Sequence, residues 1–267
     1  MKKRILSALV GVPAIIAIVL AAPLWGSGLM LGTLCAIAAY ELVKTACHAP
    51  TKAMYALTIL CAALVSACLP HFRRVVMGAG VALLFALSFL AVQKFGTDEP
   101  IPFSDVCICM VGGALFPIMY GCISLLRQVG QVLVLMPFVI AFAGDSASML
   151  GGSKFGKKKL APAVSPNKTW AGFIAGPIGS ALGMVLLGLV EKAVWSFDVS
   201  LLFLALLGAF ANLIGQLGDL MTSLIKREKG IKDYSRLFLT HGGMLDRFDS
   251  TLFIAPVVYA AFFWLMG

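Results

Sequence analysis

Residues 200–225 read SLLFLALLGAFANLIGQLGDLMTSLI, an apolar run with one charged residue, Asp219, inside it. A membrane helix needs roughly 20 predominantly apolar residues. An aspartate near the middle of one costs on the order of 2.5–3.5 kcal/mol on insertion scales. The run therefore reads as a transmembrane helix whose acid has a purpose. Asn212, Gln216, Asp219, Ser223 and Lys226 are spaced to share one helix face. Helix–helix hydrogen bonding accounts for Asn212 and Gln216 but not for the aspartate. The stripe is thus expected to face a polar cleft that ends on the cytoplasmic side.

The same apolar length recurs outward from this run. Segments 5–22, 25–43, 53–69, 75–92, 106–126, 129–152, 170–190 and 251–266 bring the expected spans to about nine. Of the 267 residues, 60% are hydrophobic and 12% charged, against about 25% charged in a soluble domain. One soluble core could not hide this much apolar surface. An ordinary cytosolic enzyme, a disordered chain and a disulfide-stapled secreted module are excluded, and no strand-like alternation suggests a β-barrel. The expected fold is all-α, a polytopic membrane helical bundle with its N-terminus in the cytoplasm. Lys2, Lys3 and Arg4 precede an apolar run longer than the usual signal-peptide core, so it reads as a retained first span. This orientation leaves only Arg73, Arg74, Arg127 and Lys192 of the 21 basic residues outside. Residues 1–140 form an N-terminal set of membrane helices. Residues 141–267 are expected to form a second membrane region, the one that carries Asp219, with cytoplasmic loops 153–169 and 226–249.

The polar residues suggest a chemistry. Asp145 lies in the sixth span with Ser148 one turn on, and residues 226–250 read KREKGIKDYSRLFLTHGGMLDRFDS. Asp246 and Asp249 share a helix face, and Asp219 and Asp246 end successive antiparallel spans, so their carboxylates are expected to converge. Such oxygen ligands suit Mg²⁺. Gly242 and Gly243 permit a tight turn whose N–H groups could approach phosphate oxygens. Lys226, Arg227, Lys232 and Arg247 supply cations there. Metal and phosphate ligands together are the equipment of phosphoryl or nucleotidyl transfer. A basic loop resting on anionic lipid explains the lysines but not the aspartates.

The loop GGSKFGKKKLAPAVSPNKTW, 151–170, matches G-x-x-x-x-G-K at Gly151, Gly156 and Lys157. Lys158 stands where Ser or Thr belongs, and a membrane helix rather than a strand precedes it, so it is not a P-loop. It reads as a second cationic lid, with Thr169 the N-cap of the next helix. Gly172, Gly176, Gly179 and Gly183 form a close-packing face, within the bundle or between subunits. The seven cysteines read as small buried hydrophobes. Cys107 and Cys109 sit on different helix faces with no His nearby, so zinc is not expected. His48 and His71 read as loop residues without a partner, and the first 140 residues show little polar material within the spans. A cation channel or transporter could also use Asp145 and Asp219, but it predicts repeat symmetry and leaves the cytoplasmic loops idle.

Residues 223–249 resemble the C-terminal motif of phosphatidate cytidylyltransferases, S-x-x-K-R-x-x-x-x-K-D followed by H-G-G-x-x-D-R-x-D. Ser223, Lys226, Arg227, Lys232, Asp233, His241, Gly242, Gly243, Asp246, Arg247 and Asp249 fall in register. Asp145, Gly156-Lys157, Leu160, Pro162, Ser165-Pro166-x-Lys168-Thr169 and Gln216-x-Gly218-Asp219 resemble that family's other stretches. The resemblance implies an inner-membrane enzyme that makes CDP-diacylglycerol and pyrophosphate from CTP and phosphatidic acid at the cytoplasmic face. It implies a homodimer among membrane lipids, with no nucleic-acid partner. It also implies Mg²⁺ at Asp219 and Asp246, with room for a second cation. Lys226, Arg227 and Asp249 join those two as the catalytic set. Asp145, Lys157, Ser165, Lys168, Thr169, Ser223, Lys232, Asp233, His241, Gly242, Gly243 and Arg247 are then the substrate-binding set. A membrane transferase of another nucleotide or lipid phosphate is the alternative. The chain departs from the family at Ala171 and Thr222, where Glu is usual. It departs again at Tyr234-Ser235 for Ser-Gly and at Leu239-Thr240 for Pro-Gly.

Overall fold

The computed structural model describes residues 21–195, 199–235 and 242–266. Among these residues eight helices follow one another: α1 (Leu24–Ala46), α2 (Lys52–Cys68), α3 (Arg73–Lys94), α4 (Phe103–Val129), α5 (Leu135–Phe155), α6 (Trp170–Trp195), α7 (Leu201–Glu228) and α8 (Leu245–Met266). All but α2 are long and apolar enough to cross a bilayer. They match eight of the nine expected spans; the first, 5–22, lies outside the described residues except for its last two positions. The fold is an all-α polytopic bundle with one addition. β1 (Lys159–Ala161) and β2 (Ser165–Thr169) pair antiparallel between α5 and α6, with Lys159 opposite Thr169.

The helices divide into two compact units, Met1–Gln128 with Glu228–Arg247, and Val129–Arg227 with Phe248–Gly267. In the first, Pro23 starts α1, and Thr51 starts α2 by accepting the Met54 N–H at 3.3 Å. Small residues then let α1 and α2 close up: a Cβ on Gly32 would sit 2.7 Å from the Ala63 carbonyl oxygen. Within α4 a π-turn, Val111–Leu115, brings Gly112 and Gly113 against Leu42, Thr58 and Leu83.

Two acids are buried in this unit, contrary to the expectation of little polar material in the first 140 residues. Asp105 is 0% exposed and accepts the backbone N–H of His48 at 2.9 Å and of Ala49 at 3.3 Å. His48 Nδ1 lies 3.0 Å from its other oxygen. His48 therefore has a partner, because the α1–α2 turn folds onto the first turn of α4. Glu41, 2% exposed in α1, is the second buried acid.

In the second unit α5 and α6 pack through the glycine face expected to be a packing surface, and its use is internal. Added Cβ atoms at Gly172, Gly176, Gly179 and Gly183 would meet Ser148, Ala147, Ala143 or Val139 of α5. The opposite face of α6 exposes Ile174, Ile178, Leu182 and Leu186, as a lipid-facing stripe should. Against α7, α8 places Ile254 on Gly215 and Phe262 edge-on to Phe203, with ring centroids 5.8 Å apart.

The glycines divide by their surroundings, and so should their substitutions. Gly179→Ala must displace Ala147 and is expected to cost roughly 1–3 kcal/mol of overpacking. Gly78→Ala meets nothing within 4 Å and should be neutral or stabilising by up to about 1 kcal/mol. Unfolding midpoints in detergent check both.

Candidate active site

The second unit contains a cavity of about 470 Å³ lined by α5, the β-hairpin, the start of α6 and the middle of α7. Local structure explains why its polar side chains meet. α5 ends at Gly156, the hairpin reverses the chain, and the Trp170 N–H donates to the Lys158 carbonyl at 3.0 Å. Thr169 then caps α6 as expected, its hydroxyl accepting the Gly172 N–H at 3.2 Å. This sets Lys168 beside α7. Its ammonium lies 2.7 Å from Asp219 Oδ2 and donates to the Gln216 carbonyl at 3.4 Å. Ser223 donates to Asp219 Oδ1 at 3.3 Å. Asp145 lines the same cavity from α5, within electrostatic reach of Asp219 and Lys168.

The α7 stripe divides in two. Its deeper residues are interhelical glue: Gln216 donates to the Phe173 carbonyl at 3.2 Å and to Asn212 Oδ1 at 2.8 Å. Asn212 and Ser180 both point at the Ile140 carbonyl. Gly176 makes this convergence possible, since a Cβ there would fall within 2.7 Å of Ser148, Gln216 and Asn212. The expected polar cleft therefore begins at Gln216 and not at Asn212. Towards the end of α7 the stripe is charged. Asp249 of α8 lies within electrostatic reach of Asp219, Lys226 and Asp145, and Lys226 is itself buried.

Other expected residues of this unit sit elsewhere. Lys157 and Ser165 do not line the cavity, whereas Lys159, Asn167, Ser148 and Ser153 do. Arg227 donates to the Val164 carbonyl at 3.1 Å and so ties the end of α7 to the hairpin. At the departures from the family pattern, Ala171 lies in the first turn of α6. Thr222 is buried and donates to the Asp219 carbonyl at 3.0 Å.

In the first unit, the segment that carries Lys232, Asp233, Gly242, Gly243, Asp246 and Arg247 is organised by two carboxylates. Asp246 Oδ2 accepts the N–H groups of Tyr234 at 2.8 Å and Gly243 at 2.9 Å. Glu41 accepts the N–H groups of Met244 at 3.0 Å and Leu245 at 2.9 Å, and the Ser235 hydroxyl donates to it as well. The Gly243 N–H, expected to be free for a phosphate, is therefore spent on Asp246. Gly242 has φ +79°, and a Cβ on Gly243 would collide with the Glu41 carboxylate; the pair of glycines serves this turn. Lys232, Asp233 and Arg247 are exposed, and His241 lies outside the described residues. Sequence reasoning missed Glu41, although the signal that singled out Asp219, an acid inside an apolar run, was there.

No group of three or more His, Cys, Asp or Glu gathers into a metal cluster among the described residues. Mg²⁺ does not require such a cluster, since it is commonly held by one or two carboxylates, water and substrate phosphates. The donors at the cavity, Asp219 and Asp145 with neighbouring hydroxyls, are hard oxygens of the right kind.

The family model of the Cytidylyltransferase family matches residues 2–265. The phosphatidate cytidylyltransferase of Staphylococcus saprophyticus is 34% identical over 176 residues, 66% of this chain and 66% of that protein. That of Staphylococcus haemolyticus is 34% identical over 177 residues, with the same shares. That of Haemophilus influenzae is 32% identical over 195 residues, 70% of this chain and 66% of its own. The match thus spans 66% of the length of these relatives.

Glu41→Ala would leave the Met244 and Leu245 N–H groups without their acceptor, at roughly 1–3 kcal/mol each. Glu41→Gln keeps one acceptor oxygen and should lose less. Thermal unfolding in detergent is expected to rank wild type, Gln and Ala in that order.

Proposed function

Since the chain belongs to the cytidylyltransferase family, we propose that it transfers the cytidylyl group of CTP to phosphatidic acid, giving CDP-diacylglycerol and pyrophosphate. The observation that carries the proposal is the cavity in which Lys168, Asp219 and Asp145 meet beside exposed apolar side chains such as Met149. A site for a triphosphate and a lipid phosphate needs both characters. In this reading a phosphate oxygen of the lipid attacks the α-phosphorus of CTP, and pyrophosphate leaves. The attacking group is already anionic, so alignment and charge neutralisation dominate and no strong base is required.

The chain's own residues divide that work. Lys168 and Lys159 neutralise phosphate oxygens. Lys168 exchanges Asp219 for phosphate as substrate enters, and Thr169 and Asn167 offer hydroxyl and amide donors. Ser223 holds the Asp219 carboxylate in place. Asp219 is the residue that would hold Mg²⁺, with Asp145 nearby; bound there, the ion would supply further neutralisation of phosphate charge. The motif gives Asp246 the same role by resemblance. Action at the cytoplasmic face of the inner membrane, as a homodimer, belongs to the proposal by the same resemblance.

Purified protein given radiolabelled CTP, phosphatidic acid and Mg²⁺ should form labelled CDP-lipid. No product, while a known enzyme works alongside, would sink the proposal. Asp219→Asn should lower kcat by roughly 10²–10³-fold with the unfolding midpoint preserved. Asp246→Asn, assayed separately, tests the role taken from the motif.

A further inference from the structure

Cys47 and Cys109 place their sulfurs 4.0 Å apart in the first unit, both buried. All seven cysteines are free, and this separation is about twice a disulfide bond of about 2.05 Å. It lies within the span of two sulfurs on one soft centre, about 4.6 Å at most for bonds of about 2.3 Å. The approach is enforced. Asp105 and Cys109 are four apart on one face of α4. Asp105 binds the N–H groups of His48 and Ala49, the two residues after Cys47. The Cys47 thiol also points at the Asp105 carbonyl oxygen, 3.9 Å away. The clamp that pins the α1–α2 turn thus holds Cys47 opposite Cys109. Lys229 lies within electrostatic reach of Cys47, a cation that offsets thiolate charge once a bound centre has displaced the protons.

We propose that Cys47 and Cys109 form a dithiol site for a soft, thiol-seeking centre, of the class of trivalent arsenic or two-coordinate Hg²⁺ and Cu⁺. The site is separate from the cytidylyl-transfer reading and does not rest on it. With phenylarsine oxide the step is a condensation. Two As–S bonds form, the arsenic–oxygen bond breaks, and both thiol protons leave with that oxygen as water. Arsenic stays trivalent, so no oxidant or reductant is required. Neither sulfur has a second cysteine so placed on its own helix: Cys107, two residues from Cys109, is exposed on another face.

The test is intact-mass spectrometry of the full chain in detergent with phenylarsine oxide. One adduct per chain is expected, resistant to excess mercaptoethanol and removed by dithiothreitol. It should vanish in Cys47→Ser and in Cys109→Ser, and survive when Cys35, Cys61, Cys68, Cys107 and Cys122 are all replaced by Ala. Because the multiple variant can fail to fold, digestion of the wild-type adduct gives a second readout: the arsenic should join the peptides holding Cys47 and Cys109. A mercaptoethanol-resistant adduct persisting unchanged in Cys47→Ser, an adduct mapped to another pair, or none on the folded wild type overturns the proposal.

Discussion

A carboxylate that keeps its charge inside an apolar helix has to be met by donors, and this constraint organises much of what is specific in the molecule. An unpartnered charge in a low-dielectric setting costs several kcal/mol, a large fraction of the net stability of a protein. Three of the acids fix the segment that answers them. Asp105 fixes the turn after α1, Glu41 fixes the chain entering α8, and Asp219 fixes Lys168 at the end of the hairpin. The apolar faces decide that there is a bundle; the acids decide which loops lie where on it.

The same constraint separates the two kinds of acid in the protein. Glu41 is closed, its oxygens occupied by backbone N–H groups that no ligand displaces cheaply. Asp219 is open, its partner being a long, flexible lysine side chain on the wall of a cavity. A lysine can exchange one anion for another, whereas a buried N–H has no second choice. An ion pair at a cavity wall is thus a reserve of charge that an incoming phosphate can redistribute. A carboxylate saturated by backbone serves as a structural pin.

Much of this was legible in the sequence, because membrane spans are written as length and hydropathy. The matches for α1 to α8 follow from that alone, as does the glycine face of α6. The polar stripe on α7 was visible as well, but its division was not. Whether Asn212 and Gln216 face a cleft or a carbonyl depends on Gly176 of a neighbouring helix, which helical periodicity on α7 does not contain. The hairpin escaped notice because three- and five-residue strands carrying Pro166 show too little alternation to be seen. Glu41 and Asp105 escaped because most of their donors are backbone N–H groups, 203 and 57 positions away in the case of Met244 and His48. Backbone donors leave no residue-type signature.

That spacing also sets an order of assembly. A chain made from its N-terminus reaches Asp105 when His48 and Ala49 already exist, so this clamp can close as α4 emerges. Lys168 likewise precedes Asp219, and the acid enters the bilayer with its counter-ion already made. Glu41 is the exception. Its acceptor oxygens wait through the synthesis of six further helices until the final one begins, and the loop that must close is the longest among these three pairings. The first unit therefore cannot reach its finished form before Met244 and Leu245 have been made, so a product terminated ahead of them would display an unanswered acid in its first described helix.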